Sequence, residues 1–462
     1  MFNKKLLSER LSGMDPVYYY LIPAALFLFF GIAFGPFGSY LFEEVMIIPC
    51  VLFLRTMLSR PLSSDARKAL ILSSVLFAWF FFLQFIRDLA FFDVYPFGTY
   101  FCSYFFAFPL AALMQDGEQK QALKLFAMVF IAASAVHVLT ALLLLLDLVP
   151  AYFTQYHAYW DGSRLNPFWH PNMAACFLMF GIASCLAFLQ DTKTGWKKLA
   201  LLAAIVFFLL TLALTNCRTV IIITGGMLGG AAFYAILKGR WKLILPGLIV
   251  ACAIVIVVYG SSNYLYESHT DALIAKRTAE YLQQAENIDN AEEVEISLGG
   301  TSGQGTLLND LSSLNSRTHL WESAFKALTA NHLYPLIGVD NPGRHMSYFS
   351  RFEQTHTHNS WVETLLGLGI PGFAVAMVFT LMTLWNGIVI LLKYPLDVWK
   401  RTFAMLTLCM LAASFMEPYL FLPPIDYYIY NFIFLLCAGY LLHWQEEDNR
   451  KALLALRKFL HI

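Results

Sequence analysis

Apolar runs of about 18 residues or more recur along the whole chain between short polar breaks, and this spacing predicts helices that cross a membrane. Twelve spans are expected, at approximately 17–35, 37–54, 69–86, 97–114, 122–147, 172–190, 198–215, 219–237, 242–260, 371–392, 402–420 and 427–443. One polar stretch, 261–357, is long enough to fold outside the bilayer. Its middle, AENIDNAEEVEISLGGTSGQG, is acidic and rich in Gly and Ser, a composition that cannot bury a core. Beyond it, Leu320, Ala324, Ala327 and Leu328 fall on one helical face, which predicts a helix starting near Ser316 with Arg317 at its head. A cation is disfavoured at a helix N-terminus, so Arg317 is expected to face an anion. A turn with Gly338, Pro342 and Gly343 follows. The expected fold class is an all-α polytopic membrane protein with one large, partly helical external loop before the last three spans. Its parts are a membrane domain at 1–260, the external loop at 261–360 with candidate catalytic residues, and a second membrane part at 361–462 ending in a cytoplasmic tail.

Charge gives the chain an orientation. An even number of spans puts both termini on one side, and 22 of the 31 Lys and Arg residues lie at the termini or in the loops on that side. The short loops of the opposite side hold only Arg87, Arg164 and Arg218. Basic loops stay in the cytoplasm, so the termini are expected inside and 261–357 outside the inner (cytoplasmic) membrane. A composition of 58% hydrophobic and 13% charged residues excludes a soluble globular chain, and nothing in it points to nucleic acid. Membrane lipids are the expected surroundings. The eight cysteines lie in or beside apolar stretches and none is in the large loop, so neither a disulfide framework nor a zinc site is expected.

The candidate chemistry gathers on the external side. His358 and Asn359 close the polar stretch and open a new span in HNSWVETLLGLGIPG, where Gly369 and Gly372 allow tight turns and Pro371 restricts Ile370. Arg164 lies before span six with Asn166, Arg218 in the hairpin between spans seven and eight, and Arg317 on the loop helix. Glu43, Glu44, Glu363 and Glu417 lie towards the same side, and His137 is the main ionisable group away from it. Guanidinium forks bind phosphate oxygens in pairs, and a neutral imidazole accepts a proton from a sugar hydroxyl. Three arginines and a histidine together suit transfer of a group away from a diphosphate held at the membrane surface. Such a site needs no metal. The chain has no Asp-x-Asp pair, the spacing of His345, His356 and His358 fits no ligand pattern, and no cofactor is expected.

HNSWVETLLGLGIPG resembles the His-Asn-x9-Gly-x-x-Gly signature of the O-antigen ligase and O-antigen polymerase superfamily. Asn216-Cys217-Arg218 is similar to the Ser-Arg-Gly element of that family's middle hairpin, with Cys217 and Thr219 in place of the usual small residues. Ser316-Arg317 with Trp321 resembles its Arg-x-x-x-Trp helix, and Gly162-x-Arg164-Leu165-Asn166-Pro167-Phe168 with Asn172 resembles the segment before its span six. The resemblance covers residues 120 to 440 and leaves the first four spans with hydropathy alone. It implies a glycosyltransferase whose donor is an undecaprenyl-diphosphate-linked glycan and whose acceptor is a lipid- or polymer-linked sugar such as lipid A-core. His358 becomes the candidate base, and Arg218 and Arg317 the diphosphate contacts. Arg164, Asn359, Asn166, Glu417 and Arg344 are the further expected substrate contacts. A polymerase of the same superfamily fits the same residues. A polysaccharide flippase is the rival class, but transporters place polar groups at the bilayer midplane on broken helices, whereas these gather at one face.

Overall fold

A computed structural model describes residues 21–35, 116–146, 148, 158–160, 165–167, 170–237, 311–339, 342–349, 356–394, 397–417, 420–421 and 428–443, with scattered positions between 67 and 108. The expected spans at 37–54 and 242–260, most of those at 69–86 and 97–114, the acidic stretch, Glu43, Glu44 and Arg164 lie outside the described residues. The expected total of twelve spans therefore extends beyond them.

Helices dominate the described residues. They run as α1 (Leu21–Gly35), α2 (Asp116–Leu145), α3 (Pro171–Asp191), α4 (Gly195–Leu214), α5 (Arg218–Leu237), α6 (Leu311–Thr329), α7 (Tyr334–Ile337), α8 (Pro342–Ser347), α9 (Ser360–Lys393), α10 (Val398–Ala413) and α11 (Tyr428–His443). Between α2 and α3, β1 (Ala158–Trp160) pairs antiparallel with β2 (Leu165–Pro167). By length and apolar composition α3, α4, α9 and the Gln119–Leu145 part of α2 can cross a membrane, and α1, α5 and α11 include shorter apolar helices.

α3 is the central post. It is apolar on every side, buried from Pro171 to Cys185, and packs against α2, α4 and α10, as an all-round hydrophobic helix must. Pro171 opens it, where the missing N–H costs nothing. Around it the rings of Phe130, Phe180 and Tyr430 pack in sequence. His137 of α2, buried in the same core, lies with Nε2 2.7 Å from the Ile32 carbonyl of α1.

The two ends of this bundle differ in chemistry. At one end Lys124 pairs with Asp191 at 2.7 Å, and Arg401 donates to the Gln190 side chain at 2.5 Å. The opposite end of α10 leads through Ser414 to Glu417. A helix of this length separates the two ends by about 24 Å.

α9 is two helices. Asn359 caps the first, its Oδ1 accepting from the backbone N–H groups of Trp361 and Val362 at 2.9 and 3.1 Å. Gly369 then takes φ 64° and ψ −177°, which ends the first portion, and Pro371 sits in the first turn of the second. Two carbonyls left without a helical partner at the break find others: Leu366 accepts from Val339 N–H at 2.6 Å and Leu368 from the Trp79 indole at 3.0 Å. A side chain at 369 would also meet a wall, since a Cβ there would lie 2.5 Å from the Leu336 carbonyl oxygen.

The described end of the large loop forms its own layer on this short first portion. Leu320, Ala324 and Leu328 of α6 join Val339, Met346 and Leu366 in one small core, as the helical face read from the sequence requires. α6 begins at Leu311, five residues before the expected start, so Arg317 is not at the head of the helix but in its second turn. Leu311 and Leu314, one turn apart, carry the helical spacing back beyond Ser316.

Candidate functional site

Glu417 is the hub. Only 1% exposed, it accepts a hydrogen bond at Oε1 from the Asn172 amide, and the same oxygen lies 3.7 Å from Arg317 Nη2. Its other oxygen, Oε2, lies 3.6 Å from His358 Nδ1. The four groups come from α3, α6, the turn before α9 and the turn after α10, so the carboxylate ties the loop layer to the bundle. Arg317 also places Nη1 3.2 Å from the sulfur of Met416. The side chains of Arg317 and His358 remain 23% exposed, enough for each to meet a ligand from outside.

Local folding holds the histidine in place. His358 has φ 53°, a backbone state uncommon for a residue with a side chain. On either side the chain is pinned. Thr357 donates from N–H and Oγ1 to the buried carboxylate of Glu363 at 3.0 and 2.9 Å, and its carbonyl accepts from the Trp321 indole at 3.0 Å. Asn359 Nδ2 donates to the Phe415 carbonyl at 3.0 Å, Ser360 N–H to the Ser414 carbonyl at 2.9 Å, and Ser360 Oγ to the Glu417 carbonyl at 2.7 Å. The helix cap and the turn that bears Glu417 are thus one hydrogen-bonded unit.

His356 packs edge-on against His358, with ring centroids 4.2 Å apart. Burial, then the charges of His358, His170 and Arg317, lower its pKa from 6.5 to about 3. Between those values the unfolded chain binds a proton at 356 that the folded chain refuses. Stability present above pH 6.5 is therefore lost as pH falls towards 3. His356→Gln is expected to flatten this acid-side loss, measured as thermal unfolding of the detergent-solubilised protein across that range.

Among the residues expected from sequence, the structure brings His358, Asn359, Arg317 and Glu417 together. Glu417 faces Asn172, Arg317 and His358, and Asn359 is a helix cap whose two polar ends are both engaged. Arg218 begins α5 after a tight turn in which Asn216 has φ 49° and Thr215 Oγ1 donates to the Leu212 carbonyl at 2.6 Å. α3 leads away from the site and α4 returns, so half-buried Arg218 stands at the same end of the bundle as Asn172. Asn166 lies buried in β2, with Oδ1 lacking a hydrogen-bond partner among the described residues. Arg344 belongs to α8, but its side chain is outside the described residues, as is all of Arg164. Thr357 and His356 were not expected in the site, and Asn172 was noted only within the resemblance before span six, without a role. An amide directly after Pro171, at the entrance of an otherwise apolar helix, was the available signal for Asn172.

The fold and site define a polytopic helical membrane protein with a cationic and imidazole-bearing cluster built around a buried carboxylate at one end of its bundle. The O-antigen ligase family model matches residues 203–377, which supports the resemblance to the O-antigen ligase superfamily. The matched stretch contains Arg218, Arg317, Arg344, His358 and Asn359, while Arg164, Asn166, Asn172 and Glu417 lie outside it. No curated protein matches the chain. The family supports a glycan-transferring activity of ligase or polymerase type on lipid-linked glycans, in a bacterial inner membrane.

Proposed function

We propose that this protein is a ligase-like glycosyltransferase that moves a glycan from an undecaprenyl-diphosphate-linked donor to a sugar hydroxyl, such as one of lipid A-core, at the external membrane face. The observation that carries the reading is the meeting of Arg317 and His358 on the one buried carboxylate of Glu417. A fixed cation and an imidazole side by side are what displacement of a diphosphate by a hydroxyl requires. In this reading Arg317 and Arg218 hold the diphosphate through their forks and stabilise the charge that grows on it. His358 accepts the hydroxyl proton as the acceptor oxygen bonds to the anomeric carbon. The bond from that carbon to the diphosphate breaks, and its electron pair leaves with the lipid diphosphate. Guanidinium groups supply the charge stabilisation, so no metal or other cofactor enters the scheme. Arg164, Asn166, Asn359 and Arg344 contact the substrates. The test is glycan transfer by the purified protein from the lipid-linked donor, with lipid A-core and a second lipid-linked repeat as competing acceptors. Product on lipid A-core supports the ligase reading, product on the repeat replaces it with a polymerase, and no product on either removes the transferase.

The external placement of the site rests on the loop charges and has its own test. Gly303→Cys is expected to react with an impermeant thiol reagent in intact cells and Ser63→Cys is not. Labelling at position 63 alone reverses the orientation.

A further inference from the structure

We propose that Glu417 is the positioning residue of this site, fixing His358 in the tautomer that carries its proton on Nδ1 and leaves Nε2 as the basic nitrogen. The role is distinct from the substrate contact expected of this residue, and its catalytic consequence rests on the transferase reading above.

The geometry divides the carboxylate between two tasks. Oε1 is occupied by the Asn172 amide and faces Arg317 Nη2. Among the described residues, buried Oε2 makes no hydrogen bond, buried His358 Nδ1 makes none, and the two lie 3.6 Å apart. A carboxylate oxygen only accepts, so the nitrogen that faces it is favoured as N–H. A contact of this length shortens to a hydrogen bond when charge develops on the ring. The charged and titratable groups around the imidazole are Glu417, Glu363, His356 beside it and, next to His356, Arg317 and His170. The two carboxylates differ: Glu363 Oε2 takes both donors of Thr357, whereas Glu417 Oε2 is left for His358.

The turn that bears Glu417 is itself locked to the residues after His358. Asn359 Nδ2 holds the Phe415 carbonyl, and Ser360 holds both Ser414 and Glu417 through their carbonyls. The distance from carboxylate to imidazole is thereby set by backbone. During transfer Nε2 takes the hydroxyl proton, and the resulting imidazolium keeps its other proton on Nδ1 towards Glu417, which stabilises the added charge. The proton leaves Nε2 to solvent after the lipid diphosphate departs. Oε1 meanwhile holds Arg317 on the same group, so base and diphosphate contact keep one fixed spacing.

Glu417→Gln tests the assignment in the full-length protein. The amide preserves size, and its oxygen can still accept from Asn172, but its NH2 facing His358 favours the opposite tautomer. The first readout is the 15N spectrum of histidine-labelled protein in lipid nanodiscs, with the His358 signal identified by its loss in His358→Gln. The wild-type His358 is expected to show protonated Nδ1, and Glu417→Gln protonated Nε2. The second readout is transfer kinetics, with kcat expected to fall about 100-fold or more while the donor KM changes little. Glu417→Asp should recover part of the rate and the wild-type tautomer. An unchanged His358 tautomer in folded Glu417→Gln overturns the positioning role. A tautomer switch in a protein whose wild type transfers no glycan supports the positioning role and removes only the transferase reading.

Discussion

Replacing His358 by glutamine is expected to lower glycan transfer by about 100- to 10,000-fold, the usual range for loss of a general base. Glutamine keeps hydrogen bonding but cannot take up a proton near neutral pH. The lipid-linked donor should still bind, because the arginines are untouched. His358→Ala should behave alike in chemistry. The measurement is transfer with purified protein and saturating donor, alongside donor binding. Near-wild-type transfer by His358→Gln would remove the base assignment and leave the function resting on the arginines.

The second large effect concerns the guanidinium groups. Arg317→Lys keeps the positive charge near Glu417 but loses the fork that now reaches towards Met416 and Glu417 together. Arg218→Lys makes the same exchange at the head of α5. A lost charge-assisted contact to a desolvated phosphate costs about 2 to 4 kcal/mol, or roughly 30- to 1,000-fold in rate. Neither variant should impair membrane insertion. Arg317→Lys also disturbs the partner of a buried carboxylate and is expected to lower thermal stability. Transfer assays and thermal unfolding on both variants check this, and unchanged transfer in either removes that arginine from the diphosphate contacts.

Most of the described bundle was legible in the sequence because a bilayer allows few solutions. The runs at 122–147, 172–190 and 198–215 appear as α2, α3 and α4 with ends shifted by a few residues. His358 and Glu417 were legible as ionisable residues at the ends of apolar runs, where their cost demands a reason, and Arg317 as a cation near the expected start of the loop helix. Their meeting was not. It depends on a turn after α10 closing on the cap of α9, through Ser360 and Asn359, and no periodicity reports a contact between two turns. Asn172 was marked only by the resemblance of its segment, since a single amide in an apolar helix carries no pattern of its own. The start of α6 was misread because a polar segment gives weak helical signal, and Arg317 was taken for a first-turn residue on that account. GLGIPG indicated a break but not which side of it would belong to which layer.

That break bears on how the enzyme meets membranes of different thickness. From Ile370 to Lys393 α9 spans about 36 Å, more than the ~30 Å of hydrocarbon, an excess that a membrane helix takes up by tilting, by kinking or by local thickening of the bilayer. In an unbroken helix every degree of that tilt would swing His358 through an arc. At Gly369 the backbone leaves helical geometry, while Val339 and Trp79 hold the carbonyls of the portion before it. The lipid-embedded portion can therefore change its inclination while the short portion carrying the cap of the site keeps its seat. The seat of His358 is in this way separated from the inclination of the lipid-embedded portion.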